Sequence, residues 1–321
     1  MTDEKIIQNY QKKIKLFQKY NKYYYNLNEP IVSDNDFDLL KLEIIKLEKK
    51  YKYLNSANSP SNSVGFKPSK AFKKVKHSVP MLSLGNAFDE NDLINFEKKI
   101  LNFLNLDKNF NITYSAEPKI DGISASLIYE DGKFLTGLSR GDGKEGEDIT
   151  ENLKTIKDIP HFIKSKNFPR KIDIRGEVFI QNSDFEKLKD KFANPRNAAS
   201  GSLRQKDSKE TKKIPLNFIA YSFGYEKGLK SSSQNEYLKN LKEWGFKTNP
   251  LNKTLEKIEN LMTNYKEIEK KRGDIDFDID GIVYKVNDFN LQKRLGNVAN
   301  APRWAIAHKF SANSGISKIK N

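Results

Sequence analysis

The chain contains no cysteine. That absence excludes disulfides, thiolate zinc sites and a cysteine nucleophile, and it accords with a reducing compartment. Histidine is scarce as well: His77, His161 and His308 are the only three, too scattered for a histidine metal cluster or a Ser–His hydrolase triad. No apolar stretch approaches the length of a membrane span. The start, MTDEKIIQNY, puts acids where a signal peptide carries basic residues and an apolar core. These features predict a soluble cytoplasmic protein with no membrane partner.

Positive charge is what the chain has in quantity. Lys and Arg number 57 against 42 Asp and Glu, a net +15 over 321 residues, with a pI near 9.5 and a mean hydropathy of −0.74. The excess suits a polyanionic partner such as nucleic acid or a phosphate-bearing ligand, and it would equally follow from a Lys- and Asn-rich composition alone. A hydrophobic content of 37%, with 20 Phe and 14 Tyr, excludes a disordered chain.

Periodicity divides the sequence. Ile7, Tyr10, Ile14, Phe17, Tyr20 and Tyr24 recur at helical spacing behind Thr2 as a cap. After NLNEPIV, Ser33 caps a second helix, on which Phe37, Leu40, Ile44, Leu47 and Tyr51 share a face. Residues 1–60 thus form a helical hairpin, and the Ser-, Asn-, Pro- and Gly-rich segment 61–75 is the linker. Beyond it one helix is expected around Leu93, Phe96 and Ile100, and strand signals then dominate. ISASLIYEDGKFLTGLS carries apolar runs on both sides of Asp131-Gly132, a hairpin turn. KIDIRGEVFI, PLNFIAYSFGY, FDIDGIVYKV and RWAIAHKF are further strands, with helices near Tyr237–Trp244 and Leu255–Lys271. The expected fold is α+β: a small helical module followed, over 76–316, by a core of antiparallel sheets flanked by helices, with 317–321 as a tail.

Within AEPKIDG, Lys119 is the residue whose setting invites chemistry. An amine attacks only when deprotonated, and with an ordinary lysine pKa near 10.4 roughly one in a few thousand is neutral at pH 7. Lowering that pKa by about two units takes about 2.7 kcal/mol and raises the neutral fraction about a hundredfold, which neighbouring cations or a divalent metal can supply. Arg140, Arg175, Lys285 and Lys309 end or occupy other strand segments and would also bind phosphate. By itself, KIDG fits a lysine before an ordinary turn more often than a nucleophile. Glu177, beside Arg175 on one strand face, and Asp280 are either salt-bridge partners or acids near a magnesium polyphosphate site. KFANPRNAASGSLRQKD, with Arg196 and Arg204, reads as a long basic loop suited to phosphate contacts or as a plain surface loop. Asp34 and Asp38 lie four apart on one helix face near Tyr24 and Tyr25; they either favour the helix dipole or help form a pocket for a flat or cationic ring.

Taken in series, HSVPMLSLGN, KIDG, SRGDG, RGEVF, NPRNAASGSLRQ, DIDGIVYKVN and APRWAIAHKF resemble the adenylation region of bacterial NAD-dependent DNA ligases, from about Tyr24 to Phe310. The resemblance implies a nucleotidyltransferase core of the ATP-grasp-like DNA ligase type, preceded by a helical module that binds nicotinamide mononucleotide. It implies that Lys119 attacks the α-phosphorus of NAD, releasing that mononucleotide and leaving AMP on its nitrogen, the first step in sealing nicked duplex DNA in replication and repair. Glu117, Ser83, Leu84 and Tyr221 then correspond to the adenosine pocket, with Tyr221 stacking on the base. Asp121, Arg140 and Glu177 hold the ribose and order the site around the nucleophile. Lys285 and Lys309 approach the phosphate, and Asp280 joins the nucleotide contacts. Arg196, Arg204 and Arg272 match basic positions of the DNA and nicotinamide-nucleotide steps, while Tyr24, Asp34 and Asp38 fall in the nicotinamide subsite. Magnesium or manganese is the implied metal, without zinc.

Two positions depart from the family pattern: Tyr25 stands where histidine is usual, and Phe37 where tyrosine is usual. No room follows Phe310 for the oligonucleotide-binding barrel, zinc finger, helix-hairpin-helix repeats and BRCT domain of full-length members. The expectation is a monomeric piece that adenylates itself but seals nicks poorly. An ATP- or GTP-using relative with the same covalent lysine, and a basic non-catalytic nucleic-acid-binding module, are the alternatives.

Overall fold

In a computed structural model of the chain, the residues described are 3–23, 31–54, 56–61 and 72–311, without the side chains of 34 and 35. Two helices open it, α1 (Asp3–Lys22) and α2 (Asp34–Lys50). Ser33 caps α2, its hydroxyl accepting from the Asp36 amide, as the sequence predicts. Thr2 and Tyr24 lie outside the described residues. The helices bury a small core of their own around Tyr10, Phe17, Phe37 and Ile44, with the Phe17 and Phe37 rings stacked at 5.3 Å. Ile6 takes the inward place that periodicity gave to Ile7, which is exposed. The inward face of α1 runs 6, 10, 14, 17, closer to the 3.6-residue helical repeat than a start at 7.

Among the described residues thirteen strands follow: β1 (Lys74–Lys76), β2 (Gly85–Ala87), β3 (Thr113–Ile120), β4 (Ile123–Glu130), β5 (Lys133–Ser139), β6 (Glu145–Glu147), β7 (Lys171–Ile180), β8 (Leu216–Lys227), β9 (Lys253–Glu256), β10 (Ile279–Val286), β11 (Asn297–Val298), β12 (Ala301–Pro302) and β13 (Ala305–Lys309). One five-stranded sheet has the order β2-β13-β10-β3-β9, and a four-stranded sheet the order β5-β4-β7-β8. Pairing is antiparallel except between β13 and β2, which are parallel, a departure from the wholly antiparallel expectation. Each large sheet has its own apolar core. One gathers Leu93, Ile100, Tyr114 and Tyr284 beneath α3 (Glu90–Leu104) and the helix Ile258–Lys271; the other gathers Leu127, Tyr129, Phe218, Tyr237 and Trp244.

The chain passes from the first sheet to the second at Asp121-Gly122, between β3 and β4. A Cβ on Gly122 would lie 2.4 Å from the Val178 carbonyl oxygen and 2.8 Å from Glu177 Cγ. Glycine is needed there because β7 presses against the crossing, a stronger demand than a turn makes. Asp131-Gly132 is the expected hairpin turn, both residues having positive φ, 48° and 75°.

The segment expected as a basic loop contains instead the helix Pro195–Leu203. Asn194 caps it by accepting from the Asn197 amide, Pro195 sits in the first turn, and Ala198, Ala199, Ser200 and Ser202 are buried. Small residues let the helix lie close to the sheet, and the cap and proline start it, so the features that suggested a loop are those of a tightly packed helix.

Candidate active site

Between the two sheets and α2 lies a cavity of about 830 Å³. Lys119, near the end of β3, projects into it. Its Nζ donates to Asp280 Oδ2 at 2.9 Å, and Lys309 Nζ donates to the same oxygen at 2.8 Å. Lys309 also pairs with Asp38 of α2 at 3.1 Å, which ties the helical hairpin to the core. Burial alone would raise the Asp280 carboxyl, but Lys119 and Lys309 outweigh it and hold the pKa down at about 2. For Lys309, burial works against the charge and the two carboxylates prevail, raising its pKa above the ordinary lysine value. The second oxygen of Asp280 is buried and accepts no hydrogen bond among the described residues.

A register shift aims Asp280 into this cluster. Asp280 and Lys285 are five residues apart on β10, a spacing that puts side chains on opposite faces of a regular strand, yet both line the cavity. Ile279 pairs with Ile120 and Gly281 with Lys119, so Asp280 is the extra residue of a bulge. Gly281 then passes so near β13 that a Cβ would meet the His308 carbonyl oxygen at 2.3 Å.

The far end of the cavity holds a closed polar network. Glu117 and Lys285 pair at 2.8 Å and are 4% and 6% exposed. Lys285 Nζ also donates to the Tyr221 carbonyl at 2.8 Å and lies 5.2 Å from the centre of that ring. Thus Lys285, expected at the phosphate, has its ammonium engaged beside Tyr221. Gln234, which sequence reasoning missed, donates from Nε2 to both Glu117 Oε1 and the Tyr221 carbonyl. Its only signal was a place just after the helix-capping Ser233, which carries no hint of a buried role.

On the second sheet, Glu177 accepts from Ser124 at 2.9 Å and from the Tyr221 hydroxyl at 3.3 Å. Burial pushes its carboxyl up, against the pull of Arg196 and Lys119. Arg196 pairs with Asp121 at the sheet crossing. Arg175 shares the cavity-facing side of β7 with Glu177, as alternation predicts. It grips Asp173 and the Val79 and Pro80 carbonyls, fixing the segment that carries Ser83 and Leu84. Arg140 Nη2 donates to Ser83 Oγ at 3.2 Å.

Most of the expected residues are therefore brought together: Ser83, Leu84, Glu117, Lys119, Arg140, Glu177, Arg196, Tyr221, Asp280, Lys285, Lys309 and Asp38 line one cavity, with Asp121 at its edge. Arg204 and Arg272 are not there. Arg204 pairs with the buried Glu147, and Arg272 lies 5.5 Å from the centre of the Phe310 ring. The Asp34 side chain, Tyr24 and Tyr25 fall outside the described residues. Among the described residues no group of three His, Cys, Asp or Glu side chains could hold a metal by itself, and no helix is long and apolar enough to cross a membrane.

Comparison with known proteins shows the family of the chain. The family model described as the NAD-dependent DNA ligase adenylation domain matches residues 69–313, and the DNA ligase-like N-terminal NAD+-binding domain matches residues 3–65. A DNA ligase of Pelagibacter ubique is 69% identical over the whole of this chain and 48% of its own length. One from Parvibaculum lavamentivorans is 45% identical over 94% of this chain and 44% of its own. The chain spans about half the length of these relatives. The ATP-dependent DNA ligase of bacteriophage T7 in complex with ATP is 16% identical over 70% of this chain and 67% of that one, with a TM-score of 0.36, too slight a likeness to argue from.

Proposed function

Because the chain belongs to the NAD-dependent DNA ligase adenylation-domain family, we propose that it transfers AMP from NAD to Lys119 and that this charges it for sealing nicked duplex DNA. The observation that carries the reading is the position of Lys119: its amine enters the cavity hydrogen-bonded to Asp280, with Lys309 on the same carboxylate oxygen.

In the reaction, Lys119 Nζ attacks the α-phosphorus; a P–N bond forms, and the P–O bond to nicotinamide mononucleotide breaks, its electron pair leaving with the mononucleotide. Nζ sheds a proton along its hydrogen bond to Asp280 Oδ2, and from that carboxylate, too weak a base to keep it, the proton passes to solvent. Lys309 and Arg140 face the charge that grows on the leaving phosphate. The adenine would lie toward Tyr221, where Glu117 is held rigid by Lys285, Gln234 and Ser115. Glu177 and Asp121 would take the ribose. Magnesium suits the cavity: Asp280 Oδ1 is a buried carboxylate oxygen with no partner among the described residues, and with diphosphate oxygens it makes the donor set this ion favours. When bound, the ion supplies further neutralisation of phosphate charge.

Arg204 and Arg272, lying away from the cavity, are proposed to contact DNA rather than nucleotide. The chain would act as a monomer in the bacterial cytoplasm, on the nucleoid, and would adenylate itself while sealing nicks weakly without the remainder of the relatives' length. Intact-protein mass spectrometry after incubation with magnesium and NAD, with ATP in parallel, tests this. A gain of one AMP from NAD alone, lost in Lys119→Ala, is expected. A gain from ATP alone, or from neither, would sink the reading.

A further inference from the structure

Lys41 belongs to no part of the site so far described. It lies on α2 one turn beyond Phe37 and Asp38, and with them it lines the cavity. Among the described residues its ammonium has no hydrogen-bond or close ion-pair partner. The charges that reach it are Asp38 and three cations, Arg140, Lys309 and Lys119. Asp38 is already engaged by Lys309. Burial and these cations together lower the pKa of Lys41.

Four cations, Lys41, Arg140, Lys309 and Lys119, therefore interact with one another near Asp38 and Asp280, with Glu177 also within reach of Lys119. Cations outnumber carboxylates there, as a site for a diphosphate diester requires. At the other end of the cavity there is no such excess, since Lys285 is matched by Glu117. Three of the four cations stand on the sheets and their turns; Lys41 alone comes from the helical hairpin. Like charges gathered in a partly buried cavity repel one another unless an anion lies among them.

We propose that Lys41 engages the diphosphate of NAD from the helical hairpin. This rests on NAD being the substrate. Lys41 is then a positioning residue: it orients the diphosphate for Lys119 and afterwards holds the phosphate of the departing mononucleotide.

The test follows AMP gain against NAD concentration in wild type, Lys41→Met and Lys41→Arg, at low and moderate salt. Methionine keeps the length and apolar stem of lysine without its charge. Loss of one charged contact should raise the half-saturating NAD concentration roughly tenfold to a hundredfold, with a smaller effect on the saturated rate. Arginine should restore it, and the salt dependence of half-saturation should weaken in Lys41→Met. Equal half-saturation in wild type and Lys41→Met would overturn the proposal. So would a fall in saturated rate alone that arginine does not restore. Removing a repelled charge should leave the melting temperature of the free protein no lower, and Lys41→Gln repeats the comparison should Lys41→Met fold poorly. Absence of AMP gain in wild type would count against NAD as substrate, not against Lys41. Calorimetric titration with inorganic pyrophosphate would then decide its role: weaker binding in Lys41→Met supports it, and equal binding refutes it.

Discussion

Lys119 and Asp280, 161 residues apart in the chain, meet at 2.9 Å because a bulge on β10 turns Asp280 toward the strand that carries Lys119. The carboxylate is placed where it can orient the amine and accept two ammonium groups at once. It also ties β10 to β13 through Lys309.

Asp280→Asn should therefore cost both activity and stability. The carboxyl titrates at about 2 in the folded protein against 3.8 ordinarily. Its stabilising contribution, on the order of 2 kcal/mol, is present above the ordinary value and lost as pH falls through about 2. Urea unfolding at pH 5 and pH 3 should show a smaller loss on acidification in the variant than in wild type, and the rate of AMP gain should drop at least about a hundredfold.

His308 predicts a second pH effect. It is 1% exposed, stacks on Tyr265 at 4.0 Å, and burial lowers its pKa to about 4. Between that value and the ordinary 6.5 the unfolded chain holds the proton and the folded one does not, so stability rises with pH in this window. Wild type should lose about 2 kcal/mol from this group between pH 7 and pH 5, a loss that His308→Gln removes. Equal pH dependence in the two proteins would contradict the burial argument.

Gly122→Ala should displace Glu177. The added Cβ meets backbone on one side and the Glu177 side chain on the other, neither of which can yield without moving β7. A loss of about 1–3 kcal/mol in thermal or urea unfolding is expected, together with slower AMP gain. A fully active, equally stable variant would show that the sheet crossing has more room than the structure gives it.

Gln234→Leu separates the proposed adenine end of the cavity from the proposed phosphate end. It removes one donor from Glu117 Oε1 and one from the Tyr221 carbonyl while leaving the Lys119–Asp280 contact intact. The half-saturating NAD concentration should rise by roughly tenfold, with the saturated rate changed less. The reverse pattern would assign Gln234 to the chemistry.

The helical hairpin, the strands β4, β5, β7, β8, β10 and β13, and most of the charged residues lining the cavity were legible because each left a periodic or motif signal, whereas the short strands β6, β9, β11 and β12 left none. Glu177 and Arg175 follow from simple alternation. What was hidden depends on pairings between distant segments. Asp280 and Lys285 have the wrong parity to share a face, and only the bulge reconciles them. The two Asp-Gly pairs at 121 and 280 look like turns, yet their glycines are required by the approach of β7 and β13. Lys41 and Gln234 sit among residues typical of any exposed helix, so nothing local distinguishes them from solvent-facing neighbours.

The ladder between β3 and β10 carries a second consequence. Glu117 and Lys119 stand on one strand, Lys285 and Asp280 on the other, and the two ion pairs span the same antiparallel seam. Two residues of strand separate the pairs on β3, roughly 7 Å. The seam works as a caliper: its jaws are two ion pairs, and its opening is set by backbone geometry rather than by side-chain choice, so under the proposed reading the base and the reactive phosphorus of the nucleotide must lie at the matching separation.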